Sequence, residues 1–90
     1  MGDAVDDSPL EFPCRFPIKI MGRNSEPFRQ AAIALVEQHA GTVPEDSITM
    51  APSRKGNFLS ITVTITAEDR DQLDRIYRAL TDHEEILVAL

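Results

Sequence analysis

Phe58-Leu59-Ser60-Ile61-Thr62-Val63-Thr64-Ile65-Thr66 is the stretch that decides the fold. Leu59, Ile61, Val63 and Ile65 alternate with Ser60, Thr62, Thr64 and Thr66, which is the two-residue period of a strand with one apolar and one hydroxyl-bearing face. Its β-branched side chains favour the pleated conformation, and no Gly or Pro interrupts the run, so the segment belongs at the centre of a sheet.

On its N-terminal side, Pro52-Ser53-Arg54-Lys55-Gly56-Asn57 has the composition of a hairpin loop. Before it, Ser47 to Ala51 reads as a weaker strand with Ile48 and Met50 on one face. On the C-terminal side, Thr66 with Asp69 three residues on resembles a capping box, and Leu73, Ile76, Tyr77 and Leu80 mark the inner stripe of a helix. Glu68, Asp69 and Asp71 lie where the helix dipole favours acids. Ile86, Val88 and Leu90 alternate in a last short strand, leaving Leu87 and Ala89 to the other sheet face.

The first half repeats the pattern. Phe16, Ile18 and Ile20 alternate with Arg15, Pro17, Lys19 and Met21 in a half-buried strand that Gly22 is expected to end. Asn24 or Ser25 then offers an N-cap, Pro27 suits a first helical turn, and Phe28, Ala31, Ala32, Leu35, Val36 and His39 form a stripe at spacings of three and four. Gly41 is the C-terminal cap. The element order is β-α-β-β-α-β. With right-handed crossovers this predicts an α+β ferredoxin-like plait, in which two helices lie on one face of a four-stranded antiparallel sheet with the first and third strands central.

Ninety residues make a single domain, here residues 10–90, preceded by an acidic segment at 1–9 with no apolar period that is expected to be a flexible tail. Leu10 and Phe12, beside Pro13, are expected to pack onto the domain. One cysteine, Cys14, excludes an intrachain disulfide and a Cys-rich zinc site. The longest wholly apolar run is six residues, Ala31 to Val36, and the N-terminus is acidic, so neither a membrane span nor a signal peptide is expected and the cytoplasm is the default location. The net charge of −6 argues against nucleic acid. The charge is unevenly distributed: residues 15–55 hold six bases against four acids, whereas residues 56–90 hold three against seven. An anion site therefore fits only the middle third.

Chemistry-bearing residues are sparse. His39 falls on the apolar stripe of the first helix, His83 falls in the acidic turn Asp82-His83-Glu84-Glu85, and no metal spacing joins them to Cys14. Neither a metal, a cofactor nor a catalytic residue is assigned, and enzyme status is not expected. Gly22 to Arg29 resembles the phosphate loop of acylphosphatases, but it lacks the second glycine, Pro27 removes an amide donor and Glu26 repels an anion. Lys55-Gly56-Asn57-Phe58 resembles the signature of RNA-recognition motifs, yet the outward positions 60, 62 and 64 are Ser and Thr rather than stacking aromatics.

Three stretches together resemble a family. Leu10-Glu11-Phe12-Pro13, then Phe16-Pro17-Ile18-Lys19-Ile20-Met21-Gly22, then Pro52-Ser53-Arg54-Lys55-Gly56-Asn57-Phe58 with the Ser-Ile-Thr-Val-Thr strand, are similar to the YbeD-like proteins, small bacterial proteins of uncharacterised function. Phe58 stands where that family usually has tyrosine. The resemblance implies a plait similar to ACT domains, the amino-acid-binding modules of metabolic enzymes, and implies no known activity.

Two binding readings follow. The first is a small regulatory or adaptor module with a protein partner, presenting Ser53, Arg54, Lys55, Gly56, Asn57 and Phe58 from the hairpin tip, where two bases, hydrogen-bonding groups and an aromatic anchor meet. The second is an ACT-like domain, a monomer or weak homodimer, that takes a small-molecule effector such as an amino acid or related anion at Gly22, Arg23, Asn24, Ser25 and Arg29.

Overall fold

Strands β1 (Cys14–Arg23) and β3 (Phe58–Ala67) lie antiparallel over their full length, Cys14 opposite Ala67 and Arg23 opposite Phe58, in a computed structural model that describes residues 10–90. The expectation for residues 1–9 lies outside the described residues. Strand β2 (Ile48–Pro52) flanks β3, with Pro52 opposite Leu59 at its end, and β4 (Val88–Ala89) flanks β1, giving the sheet order β2-β3-β1-β4. This is the α+β plait expected from the element order, with the first and third strands central.

Helices α1 (Glu26–Ala40) and α2 (Arg70–Thr81) cover one face. Phe28, Ala32 and Val36 of α1 and Leu73, Ile76 and Leu80 of α2 close over Ile18, Ile20, Leu59, Ile61, Val63 and Ile65 in one buried cluster. Burying a large side chain of this kind contributes about 1.5–3 kcal/mol, so the period-two and period-3.6 stripes meeting here are the principal source of stability. Phe12 and Phe16 pack against the margin of the cluster, Phe16 edge-on to Tyr77 with ring centroids 6.5 Å apart, whereas Leu10 is exposed.

Local expectations are corrected at three points. Strand β1 does not stop at Gly22, which is buried opposite Leu59, and the ladder continues to Arg23. The glycine is needed for space: a Cβ there would collide with the Phe28 ring and lie 2.7 Å from the Glu85 carbonyl oxygen. Helix α2 is capped by Asp69 rather than Thr66, the Asp69 carboxylate accepting the Gln72 N–H at 2.8 Å. Thr66 is still part of β3, since the strand runs on to Ala67.

The third correction concerns β4. Ile86 is buried, but its N–H donates to the His83 carbonyl in a turn, and the chain enters the ladder only at Val88, opposite Met21. Ala89 then pairs with Ile20 and packs on the core, while Val88 and Leu90 are exposed. The alternation through Ile86, Val88 and Leu90 is thus out of phase by one residue, because Ile86 belongs to the turn and not to the strand. Because a one-residue slip exchanges the two faces of a strand, Val88 rather than Ala89 joins Met21 on the open side of the sheet.

Candidate functional site

The β2–β3 hairpin is closed around Ser53. The Ser53 N–H donates to the Phe58 carbonyl at 2.9 Å, the Phe58 N–H donates to Ser53 Oγ at 3.1 Å, and the Gly56 N–H donates to the Ser53 carbonyl at 2.9 Å. Gly56 has φ +78°, a left-handed conformation open to glycine at little cost, and this lets the turn close in so few residues. Arg54 and Lys55 are thereby exposed at the tip.

The β1–α1 turn supports this hairpin. The Asn24 N–H donates to the Asn57 carbonyl at 3.0 Å, and Asn24 Nδ2 donates to the Gly56 carbonyl at 3.0 Å. Asn24 Oδ1 in turn accepts from Arg29 Nη1 at 2.9 Å, while Arg29 Nη2 donates to Glu26 at 2.7 Å. That bond, followed by the attraction of the guanidinium charge, holds the Glu26 carboxyl below its ordinary pKa. Of the two N-cap candidates it is Ser25 that caps α1, its Oγ accepting the Phe28 N–H at 3.3 Å. Asn24 is left to join the loops.

The two loops that the sequence offered as separate sites therefore form one surface. Arg23 lies over the Phe58 ring, its guanidinium carbon 5.5 Å from the centroid, a cation–π contact worth about 0.5–1 kcal/mol at an exposed site. Beside Phe58, which is 41% exposed, Met21, Ala51 and Leu59 line an apolar hollow of about 100 Å³. Met21 is a member of this surface that the sequence did not mark, because its contribution depends on its place opposite Ser60. Gly22 faces inward against Phe28, and Arg29 is engaged by Glu26 and Asn24, so these two residues shape the surface from beneath.

Other chemistry-bearing residues lie apart. Cys14 is half-buried against the core at the start of β1, His83 Nδ1 accepts the Glu85 N–H at 3.1 Å, and the His39 carbonyl accepts from Gln72 Nε2. Among the described residues no three His, Cys, Asp or Glu side chains are grouped to hold a metal, and no helix is long and apolar enough to cross a membrane.

Residues 7–90 match the family model described as a protein of unknown function (DUF493). The chain belongs to this family. The YbeD-like resemblance and the DUF493 match describe the same group of small bacterial proteins. A UPF0250 protein of Neisseria gonorrhoeae (strain ATCC 700825 / FA 1090) is 47% identical over 81 residues, covering 90% of this chain and 89% of the relative. A UPF0250 protein of Paraburkholderia phytofirmans is 44% identical over 87 residues, covering 97% of this chain and 98% of its own. Among solved structures, protein HP0495 from H. pylori superposes with a TM-score of 0.65 at 12% identity, over 93% of this chain and 88% of that one. Uncharacterized protein TM1266 from Thermotoga maritima gives 0.62 at 13% identity, over 84% and 92%. These likenesses confirm an ACT-like α+β fold for this DUF493 chain. At such identities they speak to the fold alone.

Proposed function

We propose that this DUF493 protein is a small binding module that acts by contact with another protein, with Arg23, Arg54, Lys55, Asn57 and Phe58 as the contact surface. The observation that carries the reading is the double hydrogen bond from Asn24 to the hairpin. A four-residue tip on an isolated hairpin would lose conformational freedom on binding, at about 0.5–1.5 kcal/mol for each side chain immobilised. A tip already tied to the neighbouring turn has much of its backbone order in place before a partner arrives. Around it stand three cations, a half-exposed aromatic ring and an apolar hollow, the combination of central anchor and charged rim found where proteins recognise one another. The partner it suits is an acidic segment carrying one apolar side chain, and such a module can work as an adaptor or a regulator.

The test is crosslinking in the native cell followed by mass spectrometry, comparing the wild type with an Arg54→Glu, Lys55→Glu variant. An Arg75→Glu, Arg78→Glu variant, altered at two exposed positions on α2, matches the change in net charge. The expected result is a partner crosslinked by the wild type and by the α2 control and lost from the loop variant. An identical set of crosslinks for all three proteins would reject the surface.

A further inference from the structure

The opposite end of the central strands carries a second constellation that the loop surface does not use. Arg15 faces Thr66 across β1 and β3, eight residues from the Arg23–Phe58 pair, which is about 26 Å along a strand at ~3.3 Å per residue. A cleft of about 450 Å³ opens there between the end of β3, the connection from α1 to β2, and the start of α2. That volume is in the range of small-molecule sites.

The walls of the cleft are fixed from two sides. Gln72 Nε2 donates to the His39 carbonyl at 2.9 Å and its Oε1 accepts the Glu68 N–H at 2.7 Å, so one side chain ties the last turn of α1 to the entrance of α2. The Val43 N–H donates to Glu37 Oε2 at 2.9 Å, which holds the connection between α1 and β2. Val43 and Ile65, both buried, contribute apolar surface to the lining.

Arg15 supplies the charge. Its Nη1 donates to Thr66 Oγ1 at 3.2 Å and its Nη2 to Ser47 Oγ at 3.3 Å. These hydroxyls hold the guanidinium in place without cancelling its charge; the ion pair among the described residues, Arg29 with Glu26, belongs to the other end of the molecule. A guanidinium has five N–H donors in a planar fork suited to a carboxylate, and two are used here. Thr42 and Thr64 add hydroxyls to the lining, and Glu68 adds a carboxylate. That carboxylate accepts an O–H but repels a second negative charge on a ligand.

We propose that this cleft binds a small hydroxylated monocarboxylate. The carboxylate pairs with Arg15, the hydroxyls meet Thr42, Thr64 and Glu68, and the carbon chain lies against Val43 and Ile65. Dianions are disfavoured by Glu68, and a carboxylate without hydroxyls leaves the threonines without a ligand partner.

The experiment is a ¹⁵N–¹H chemical-shift titration of the full chain with D-gluconate and L-lactate, with acetate and inorganic phosphate as controls. The proposal expects saturable shifts at the amides of Thr42, Val43 and Thr64 to Glu68, none at Arg54 to Phe58, and weaker binding of both controls. Arg15→Gln should weaken gluconate at least tenfold. Thr42→Val, at an exposed position on the connection, should weaken gluconate at least threefold and leave acetate unchanged, and it carries the comparison if the Arg15 variant fails to fold. The proposal is overturned by absence of saturable shifts around the cleft, by acetate or phosphate binding as tightly as gluconate, or by an unchanged gluconate affinity in the variants.

Discussion

Asn24 and Gly56 are 32 residues apart in the chain and joined in space, the Asn24 side-chain amide donating to the Gly56 carbonyl at 3.0 Å. The same asparagine uses its backbone N–H on Asn57 and its side-chain oxygen on Arg29, so three segments converge on one residue. Asn24→Ala removes the side-chain bonds and keeps the backbone one. A net cost of about 0.5–1.5 kcal/mol is expected for a bond of this kind. Hydrogen exchange should show faster exchange at Gly56 and Phe58 with the amides of α2 unaffected.

Gly22→Ala tests the packing between β1 and α1. The added methyl group meets the Phe28 ring and the Glu85 carbonyl, and the backbone there has little room to yield because Leu59 is paired opposite. Overpacking of this kind costs about 1–3 kcal/mol, read as a lower midpoint in urea with an unchanged slope.

Much of this fold is legible in the sequence, and the reason is periodicity. The runs through Phe16 to Ile20, Leu59 to Ile65 and Leu73 to Leu80 bury the residues their spacing selects, because a single core must collect every apolar stripe. Local pattern failed where geometry depends on the far end of a contact. Nothing near Asn24 shows that the hairpin tip comes to it; that follows from Arg23 pairing with Phe58, a register set along the whole of β1 and β3. Nor does Arg15 announce a cleft whose other walls come from residues 39–44 and 64–72. Alternation misplaces the phase of β4 because Ile86 is apolar and buried in a turn, where alternation carries no meaning.

That phase gives a further prediction. Val88→Thr keeps a β-branched side chain on the open face and should change stability by less than about 0.5 kcal/mol. Ala89→Asp places a charge against the core beside Ile20 and should cost more than about 1 kcal/mol. Reversal of this order in thermal denaturation would restore the alternation through Ile86, Val88 and Leu90.

Asp69→Ala removes the side-chain cap of α2. The expected loss is about 1 kcal/mol, and Asp69→Asn should recover most of it because an amide oxygen also accepts the Gln72 N–H. Thr66→Ala should leave the helix cap untouched.

Tyr77 makes stability depend on alkaline pH. Burial raises its phenol above the ordinary value of 10.0, so the folded state holds the proton more tightly than the unfolded chain. Its contribution is therefore complete below pH 10 and is lost as pH rises through the higher folded value. Tyr77→Phe should flatten the fall in melting temperature above pH 10 while leaving the value at pH 7 nearly unchanged. Glu26 works in the opposite direction. Its lowered pKa gives a contribution present above the ordinary value of 4.5 and lost as pH falls below it, and Arg29→Gln should reduce that acid dependence to the part that the Gln30 hydrogen bond sustains.

Pro52 closes an edge strand only five residues long. An open edge is a template on which a neighbouring copy can add its own strand, and in a concentrated solution that addition is the route to insoluble aggregates. Proline carries no N–H to extend the ladder, and Arg54 and Lys55 stand just beyond Ser53, so an approaching strand meets a missing donor and a strongly hydrated, charged end. The loop proposed for recognition thus also guards the colloidal stability of the protein, and a variant that strips its charges should be assayed for aggregation as well as for binding.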